Sequence, residues 1–205
     1  MEQRICHVVG AGPFCQKGPS PGPGDLVIAA DGGYEHLRRW GMVPDVVIGD
    51  FDSMAAPAHP VLIRLPREKD ETDMAAAVGV GRERGYTVFH LYGGLGALLD
   101  HTLANLQLLV GLARAGAQGF LFDDQIIATA IADASFTLPP GTRGRVSVFA
   151  YGGTARGVFL RGLKYPLTDA TLTDGFPLGV SNEALGGAAC VAVREGTLLL
   201  LYPRA

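Results

Sequence analysis

The residues of this chain that are best suited to chemistry are carboxylates that follow predicted strands or begin a predicted helix. Asp50 and Asp52 stand two apart directly after the apolar run 46–48, and Asp70 and Asp73 stand three apart at a predicted helix start. In a turn, two such carboxylates can reach one hard cation, and magnesium favours one or two carboxylates together with substrate phosphates. The same residue types also suit turns and helix N-termini, so the spacing alone leaves both interpretations open.

Glycine-rich turns follow two other predicted strands. Gly93-Gly94-Leu95-Gly96 leads almost directly into a helix that opens at Asp100-His101, and backbone amides in such a turn can cradle a phosphate. Gly10-Ala11-Gly12 lacks the third glycine of the dinucleotide fingerprint. Lys69 can pair with a phosphate or remain a solvated charge. A tight turn explains each glycine run equally well, so neither run identifies a ligand by itself.

Alternating strands and helices over residues 1–124 must position these side chains. The predicted strands are 5–9, 26–30, 46–48, 61–65, 88–92 and 120–122, and the predicted helices are 34–40, 72–84 and 100–115. This alternation is typical of a mostly parallel sheet covered by helices. Ligands of such sheets bind outside the carboxyl ends of the strands. The acids and glycines, together with Asp31-Gly32-Gly33, are therefore expected along one edge of the sheet.

The pattern changes at residue 125, where strand-like segments follow one another without helical intervals. These segments are 126–131, 135–138, 146–149, 157–160, 189–194 and 197–202. They predict a small antiparallel β-sandwich over residues 125–205, after an α/β nucleotide- and metal-binding catalytic domain over residues 1–124. Ser181-Asn182-Glu183 interrupts the apolar pattern and is expected to form a loop.

Composition excludes several classes of protein. The 205 residues are 48% hydrophobic and 18% charged, which is typical of a folded domain. No apolar run approaches the roughly 20 residues of a membrane span, and no basic stripe indicates a nucleic-acid partner. The three cysteines match no zinc pattern and predict reduced thiols in the cytoplasm. Seven of the twenty acids fall between Asp45 and Asp73, which is where the metal site is predicted.

Together these motifs resemble the thiamine pyrophosphokinases, enzymes that transfer a pyrophosphoryl group from ATP to thiamine. The resemblance covers nearly the whole chain and depends on the order and spacing of its motifs. They are Asp31-Gly32-Gly33, Pro44-Asp45, Gly49-Asp50-Phe51-Asp52-Ser53, Lys69-Asp70-Glu71-Thr72-Asp73, the glycines before Asp100-His101, Asn105, Gly162-Leu163-Lys164-Tyr165-Pro166-Leu167 and Ser181-Asn182-Glu183. The resemblance implies a nucleotide-binding α/β domain, a C-terminal β-sandwich, and a homodimer with thiamine in a cleft at its interface.

The resemblance also implies a role for individual residues. Asp50, Asp52 and Asp73 would hold Mg²⁺ and, with Asp100 near the thiamine and the phosphates, would form the catalytic group. Ser181 and Asn182 would hold the aminopyrimidine of thiamine. Further residues are implied in binding ATP or thiamine: Asp31, Gly32, Lys69, Asp70, Gly94, Gly96, His101 and Tyr165.

One position departs from the family pattern. The family usually has Gly-Gly-Arg-x-Asp-His before the long helix, and this chain has Leu98 at the Arg position. Either another cation takes its place, with Lys69 and Arg67 nearest to the acid cluster in sequence, or the chain is a thiamine- or nucleotide-binding relative without catalysis.

Other enzyme classes share single features of this sequence. A pterin pyrophosphokinase resembles the same family, but Ser181–Glu183 and the loop of Tyr165 favour thiamine. Asp50-Phe51-Asp52 resembles the D-x-D motif of aspartyl-phosphate phosphatases, although that motif normally follows the first strand and this one follows the third. An NAD-dependent dehydrogenase is disfavoured because the dinucleotide fingerprint is incomplete.

Overall fold

The computed structural model describes residues 3–52, 56–68, 70–96 and 98–204. Its helices are α1 (Gly33–Arg39), α2 (Asp73–Glu83) and α3 (Leu99–Arg114). Its strands are β1 (Ile5–Val9), β2 (Leu26–Ala30), β3 (Val46–Gly49), β4 (Leu62–Arg64), β5 (Val88–Tyr92), β6 (Gln118–Phe122), β7 (Ile126–Ala132), β8 (Ser135–Thr137), β9 (Arg143–Ala150), β10 (Thr154–Arg161), β11 (Leu167–Thr173), β12 (Asn182–Leu185), β13 (Cys190–Ala192) and β14 (Thr197–Pro203). None of the described helices is long and apolar enough to cross a membrane.

The chain divides into two compact units. The first comprises Met1–Leu108 and Gly119–Asp124, and the second comprises Leu109–Gln118 and Gln125–Ala205. The first unit contains the predicted mostly parallel sheet, and the second contains the predicted antiparallel strands, so the predicted fold class is confirmed.

The strands of the first unit lie in the order β6-β5-β1-β2-β3-β4. Strand β1 pairs in parallel with β2 on one side and with β5 on the other, and β2, β3 and β4 continue the parallel series. The chain order therefore reverses between β1 and β5. In open α/β sheets a ligand binds at such a reversal, outside the carboxyl ends of the two strands.

Close packing of α2 on the sheet explains the small residues of this helix. Ala76, Ala77 and Gly81 are buried on it. A Cβ atom at Gly81 would lie 2.7 Å from Cys6 Sγ and 2.7 Å from the ring of Phe89. The small size of these residues lets the helix approach the buried strands β1 and β5, which fixes the position of its N-terminal residue, Asp73.

The second unit contains two sets of antiparallel strands. One runs β12-β9-β14-β7 and the other runs β11-β10-β13-β8. Arg114, at the end of α3, belongs to this unit and donates from Nε to Thr197 Oγ1 at 3.0 Å and from Nη2 to the Tyr151 carbonyl at 3.1 Å. These bonds attach the last turn of the helix to the start of β14.

Two strands of the second unit were not predicted. The prediction of a loop over residues 181–183 is wrong from Asn182 onward. Strand β12 begins there and pairs with β9, with Asn182 opposite Val146. Its inward residues are Asn182 and Ala184, which are too polar or too small to give an apolar alternation. In β11 only Leu172 is buried, so this edge strand also lacks an apolar pattern.

Candidate active site

Two glycine turns meet at the carboxyl ends of β1 and β5. The amide of Gly10 donates to the Tyr92 carbonyl at 2.8 Å, and the amide of Gly12 donates to the Gly93 carbonyl at 2.9 Å. Gly93 has φ +65°, and a Cβ atom at Gly12 would collide with the Gly93 carbonyl. The backbones approach so closely that only glycine fits at these positions.

A cavity of about 450 Å³ opens beside these turns. Asp31, Thr72 and Asp73 line it, and α3 contributes His101, Thr102 and Asn105. The cavity lies within the first unit, at the reversal of strand order, and its volume is in the range of small-molecule sites. Gly94 of the predicted binding set also lines it, whereas Gly32 and Gly96 do not.

Asp31 is the most strongly constrained acid of this site. Its backbone adopts φ +47° and its amide donates to the Ile48 carbonyl at 2.8 Å. Its Oδ1 is buried and accepts no hydrogen bond within the described residues. Burial raises the pKa of Asp31, and the charges of Asp73, Asp50 and Asp52 raise it further, against a hydrogen bond from the Gly32 amide. Three other carboxylates thus lie within electrostatic reach of Asp31.

Asp50 and Asp52 flank a tight turn after β3. The amide of Asp52 donates to Asp50 Oδ1 at 3.2 Å, while Phe51 between them is buried and has φ +56°. Asp50 is half-buried and Asp52 is exposed. In the described part of the chain, no three or more His, Cys, Asp or Glu side chains are arranged so that they could hold a metal ion. The metal-ligand set Asp50, Asp52 and Asp73 therefore stays a prediction.

The start of α2 places Asp73 on the cavity. Thr72 precedes the helix in an extended conformation, and its Oγ1 accepts a hydrogen bond from the Ala75 amide at 3.2 Å. This N-cap fixes the first helical residue, Asp73, whose Oδ1 is buried. Asp70 is exposed and does not line the cavity. The predicted binding residue Lys69 and the motif residue Ser53 lie outside the described residues.

The start of α3 is tied to the turn that precedes it. The Gly96 amide donates to Thr102 Oγ1 at 3.1 Å, and the Thr102 hydroxyl donates to the Leu98 carbonyl at 2.9 Å. Leu98 lines the cavity although its side chain is 58% exposed. Asp100 is exposed, does not line the cavity, and accepts the His101 amide at 2.8 Å.

Sequence reasoning gave no role to Thr102, named Asn105 and Glu71 only as motif residues, and named Arg67 only as a cation near the acid cluster in sequence. Asn105 is buried and donates from Nδ2 to the Gly94 carbonyl at 2.8 Å, so it fixes the glycine turn. Thr102, Arg67 and Glu71 also line the cavity. The sequence offered one signal for Thr102. A threonine near the start of a predicted helix can donate to the carbonyl four residues earlier, which here is that of Leu98.

The predicted binding residues of the second unit form a group of their own. Asn182 is buried, its Oδ1 accepts the Tyr165 amide at 3.0 Å, and its Nδ2 donates to the Tyr165 carbonyl at 2.7 Å. The ring of Tyr165 is exposed. Ser181 has φ +59° and its amide donates to Ser147 Oγ at 3.2 Å. The three residues are therefore adjacent.

The fold defines an α/β protein with a cavity at a reversal of strand order. Residues 23–121 match the family model of the catalytic domain of thiamin pyrophosphokinase, and residues 136–198 match that of its vitamin B1 binding domain. The chain belongs to the thiamin pyrophosphokinase family. Membership confirms the resemblance found in the sequence and the predicted enzyme class, thiamine diphosphokinase.

Known thiamine pyrophosphokinases are similar to this chain over most of its length. The thiamine pyrophosphokinase of Bacillus subtilis is 27% identical over 184 residues, which cover 86% of each chain. The crystal structure of the Geobacillus thermodenitrificans thiamin pyrophosphokinase superposes with a TM-score of 0.84 at 29% identity, over 98% of both chains. The Bacillus subtilis crystal structure superposes with a TM-score of 0.87 over 98% of this chain and 100% of its own. Identity in that superposition is 22%, so it shows the shared fold.

Proposed function

We propose that this protein catalyses the Mg²⁺-dependent transfer of a pyrophosphoryl group from ATP to thiamine, which yields thiamine diphosphate and AMP. The observation that carries the proposal is the cavity at the β1–β5 reversal, where glycine turns and the carboxylates Asp31 and Asp73 meet. Family membership supports the choice of reaction.

The glycine turns suit the phosphates of ATP. Gly10, Gly12, Gly93 and Gly94 line the cavity without side chains, so a phosphate group can come close to the backbone there. Asn105 holds the Gly94 carbonyl and so keeps this wall in place. The polyphosphate of ATP is therefore assigned to the glycine side of the cavity.

The donor set near Asp31 fits a hard divalent cation. Asp31 Oδ1 is buried without a hydrogen-bond partner among the described residues, and its raised pKa reflects burial and the acids around it. Asp50, Asp52 and Asp73 would hold Mg²⁺ with Asp31 beside them. Magnesium usually keeps several waters and binds substrate phosphates, so these acids need not form a closed set of ligands before the ion and ATP bind. The bound ion supplies charge neutralisation for the polyphosphate.

The transfer requires in-line attack on ATP. The hydroxyl oxygen of thiamine forms a bond to the β-phosphorus, the bond from that phosphorus to the α,β-bridging oxygen breaks, and AMP leaves with that oxygen. Positioning and charge stabilisation dominate this chemistry. We assign Asp100 to orient the hydroxyl and accept its proton, because this acid stands in the first turn of α3 between the cavity-lining residues Leu98 and His101.

The second unit is assigned to recognition of the vitamin. Tyr165, Ser181 and Asn182 are adjacent there and lie within the part that matches the vitamin B1 binding domain. An exposed aromatic ring and short polar groups suit a flat heterocycle with hydrogen-bonding edges.

Assembly and location complete the proposal. We assign a homodimer, supported by the exposed apolar side chains Phe176, Leu178 and Val180 of the second unit. Such a dimer should bury at least about 1,000 Å² in total, and light scattering that shows a monomer at micromolar concentration would contradict it. We assign the protein to the cytoplasm, supported by the absence of a disulfide among the described cysteines, Cys6, Cys15 and Cys190.

One assay separates this function from its alternatives. AMP release from Mg²⁺-ATP is measured with thiamine, without it, and with a hydroxymethyl pterin in its place. Release that depends on thiamine supports the proposal, and release that depends on the pterin favours the related pterin pyrophosphokinase. Thiamine binding without AMP favours the non-catalytic relative, for which Leu98 at the Arg position is the motivating observation. Inorganic phosphate alone would indicate a phosphatase.

A further inference from the structure

The cavity holds negative charge that its anionic substrate must overcome. Asp31, Glu71 and Asp73 line it, and Asp50 and Asp52 add to the potential at Asp31. A nucleoside triphosphate is itself strongly anionic, so these acids repel it wherever a cation does not intervene. Binding of the polyphosphate therefore calls for positive charge from the protein as well as from a metal ion.

Among the lining residues that the structure describes, Arg67 is the one with a permanent positive charge. It lies between β4, which ends at Arg64, and Thr72, which caps α2. Both elements reach the carboxyl edge of the sheet, so the segment that joins them borders the site. The side chain of Arg67 is exposed at the cavity, and a guanidinium there can donate two parallel hydrogen bonds to a phosphate.

Leu98 lines the same cavity and cannot supply this charge. Its side chain is 58% exposed and offers no hydrogen-bond donor. Among the described residues that line the cavity, position 98 thus offers an apolar side chain, and Arg67 offers a guanidinium.

We propose that Arg67 binds the polyphosphate of ATP and supplies the positive charge that Leu98 does not supply. The inference rests on the proposed function and adds to it a substrate-binding residue. Because the contact is to phosphate, Arg67 affects the affinity for ATP and leaves the affinity for thiamine unchanged.

Calorimetric titration with Mg²⁺-ATP, without thiamine, tests the contact in the absence of turnover. Arg67→Ala should weaken binding roughly ten- to a hundredfold, since it removes charge-assisted hydrogen bonds to a phosphate. Arg67→Lys keeps the charge and should recover part of the loss. The matched control is Arg82→Ala, which removes an exposed arginine from the last turn of α2 and should leave the affinity within about twofold.

A second measurement uses position 98. Leu98→Arg, placed in the Arg67→Ala background, should restore part of the ATP affinity. With active protein, Arg67→Ala should raise the KM for ATP and leave the KM for thiamine unchanged, which a general structural defect would not do.

The outcomes separate the two ideas. Equal ATP affinity in the parent protein and Arg67→Ala overturns the role of Arg67, even if AMP forms normally. ATP binding that depends on Arg67, with no thiamine-dependent AMP in the parent, supports the contact and overturns the reaction. An equal loss in Arg82→Ala would show a nonspecific charge effect and also overturn the contact.

Discussion

The side chain of Asn182 bonds both the backbone amide and the backbone carbonyl of Tyr165. Its Oδ1 accepts the Tyr165 amide at 3.0 Å and its Nδ2 donates to the Tyr165 carbonyl at 2.7 Å. The same Oδ1 accepts the Glu183 amide at 2.8 Å. Both acceptor positions of the buried amide are thus used within the protein. Asn182 therefore sets the shape of the loop that presents the Tyr165 ring.

Asn182→Ala is expected to weaken thiamine binding about tenfold or more and to leave ATP binding nearly unchanged. The substitution leaves the backbone groups of Tyr165 without their partners and releases the loop. Calorimetry with each substrate measures the two effects. Glu183→Gln is the control, since it breaks only the exposed ion pair with Lys164, and such pairs contribute little. Equal losses for thiamine and ATP would contradict a local role of Asn182.

Asp50→Asn and Asp52→Asn should each lower turnover at least about a hundredfold while the fold survives, because a lost metal contact removes several kcal/mol of charge stabilisation. Thiamine-dependent AMP formation gives the rate, and circular dichroism checks the fold. Glu35→Gln, which removes an exposed acid of α1, should keep full activity. A variant that retains more than about half of the activity would refute the metal assignment.

Asp31→Asn should stabilise the protein without ligand and yet impair turnover. The neutral amide relieves repulsion from Asp50, Asp52 and Asp73, still accepts the Gly32 amide, and tolerates the left-handed backbone. We expect the free energy of unfolding to rise by about 0.5–1 kcal/mol. Urea denaturation measures it, and a decrease would show that the acids of the site do not oppose one another.

Gly12→Ala tests the close approach of the turns after β1 and β5, and Gly79→Ala is its control. A Cβ atom at Gly12 would collide with the Gly93 carbonyl, so the change should cost about 1–3 kcal/mol and weaken ATP binding. Gly79 lies in α2 with nothing within 4 Å of an added Cβ, and alanine there should add roughly 0.5–1 kcal/mol. Thermal unfolding of both variants measures the two changes in stability. A change of the same sign in both variants would contradict an effect specific to Gly12.

The pH dependence of stability should contain a contribution from His7. This ring is 2% exposed, its Nε2 lies 3.3 Å from Asp25 Oδ2, and His90 and Tyr92 contact it. Burial lowers the pKa of His7 below its usual 6.5, and the interaction with Asp25 only partly opposes this. The unfolded chain then binds more protons than the folded one, so stability decreases as the pH falls below about 6.5.

Asp25 also makes the protein less stable as the pH falls, but in a more acidic range than His7. Burial alone would raise its pKa, but the amides of Ile5 and Gly22 and the His7 ring together lower it below 3.8, so its contribution is lost under more acidic conditions. His7→Gln should flatten the dependence of the unfolding free energy on pH between about 7 and 5. Denaturant titrations across this range give the slope, and an unchanged slope would exclude His7 as its source.

The sequence by itself determined the strands and helices of the first unit to within a few residues. The apolar runs of β1, β2 and β5 are buried on both faces, and glycines or polar residues end each of them, so local pattern and fold agree. The motifs also indicated the family. Strands β11 and β12 escaped detection because neither has an apolar alternation that a one-dimensional pattern can show.

Only the tertiary structure decided which of the motif residues share a site. Sheet order places the turns after β1 and β5 in contact although about 80 residues separate them in the chain, and sequence spacing carries no such information. Folding also turned Asn182 and Asn105 inward to bond backbone carbonyls, and it put Arg67 on the cavity that Asp100 does not line. A residue type predicts the bonds that a side chain can make, whereas the packed backbone around it determines which of them are made.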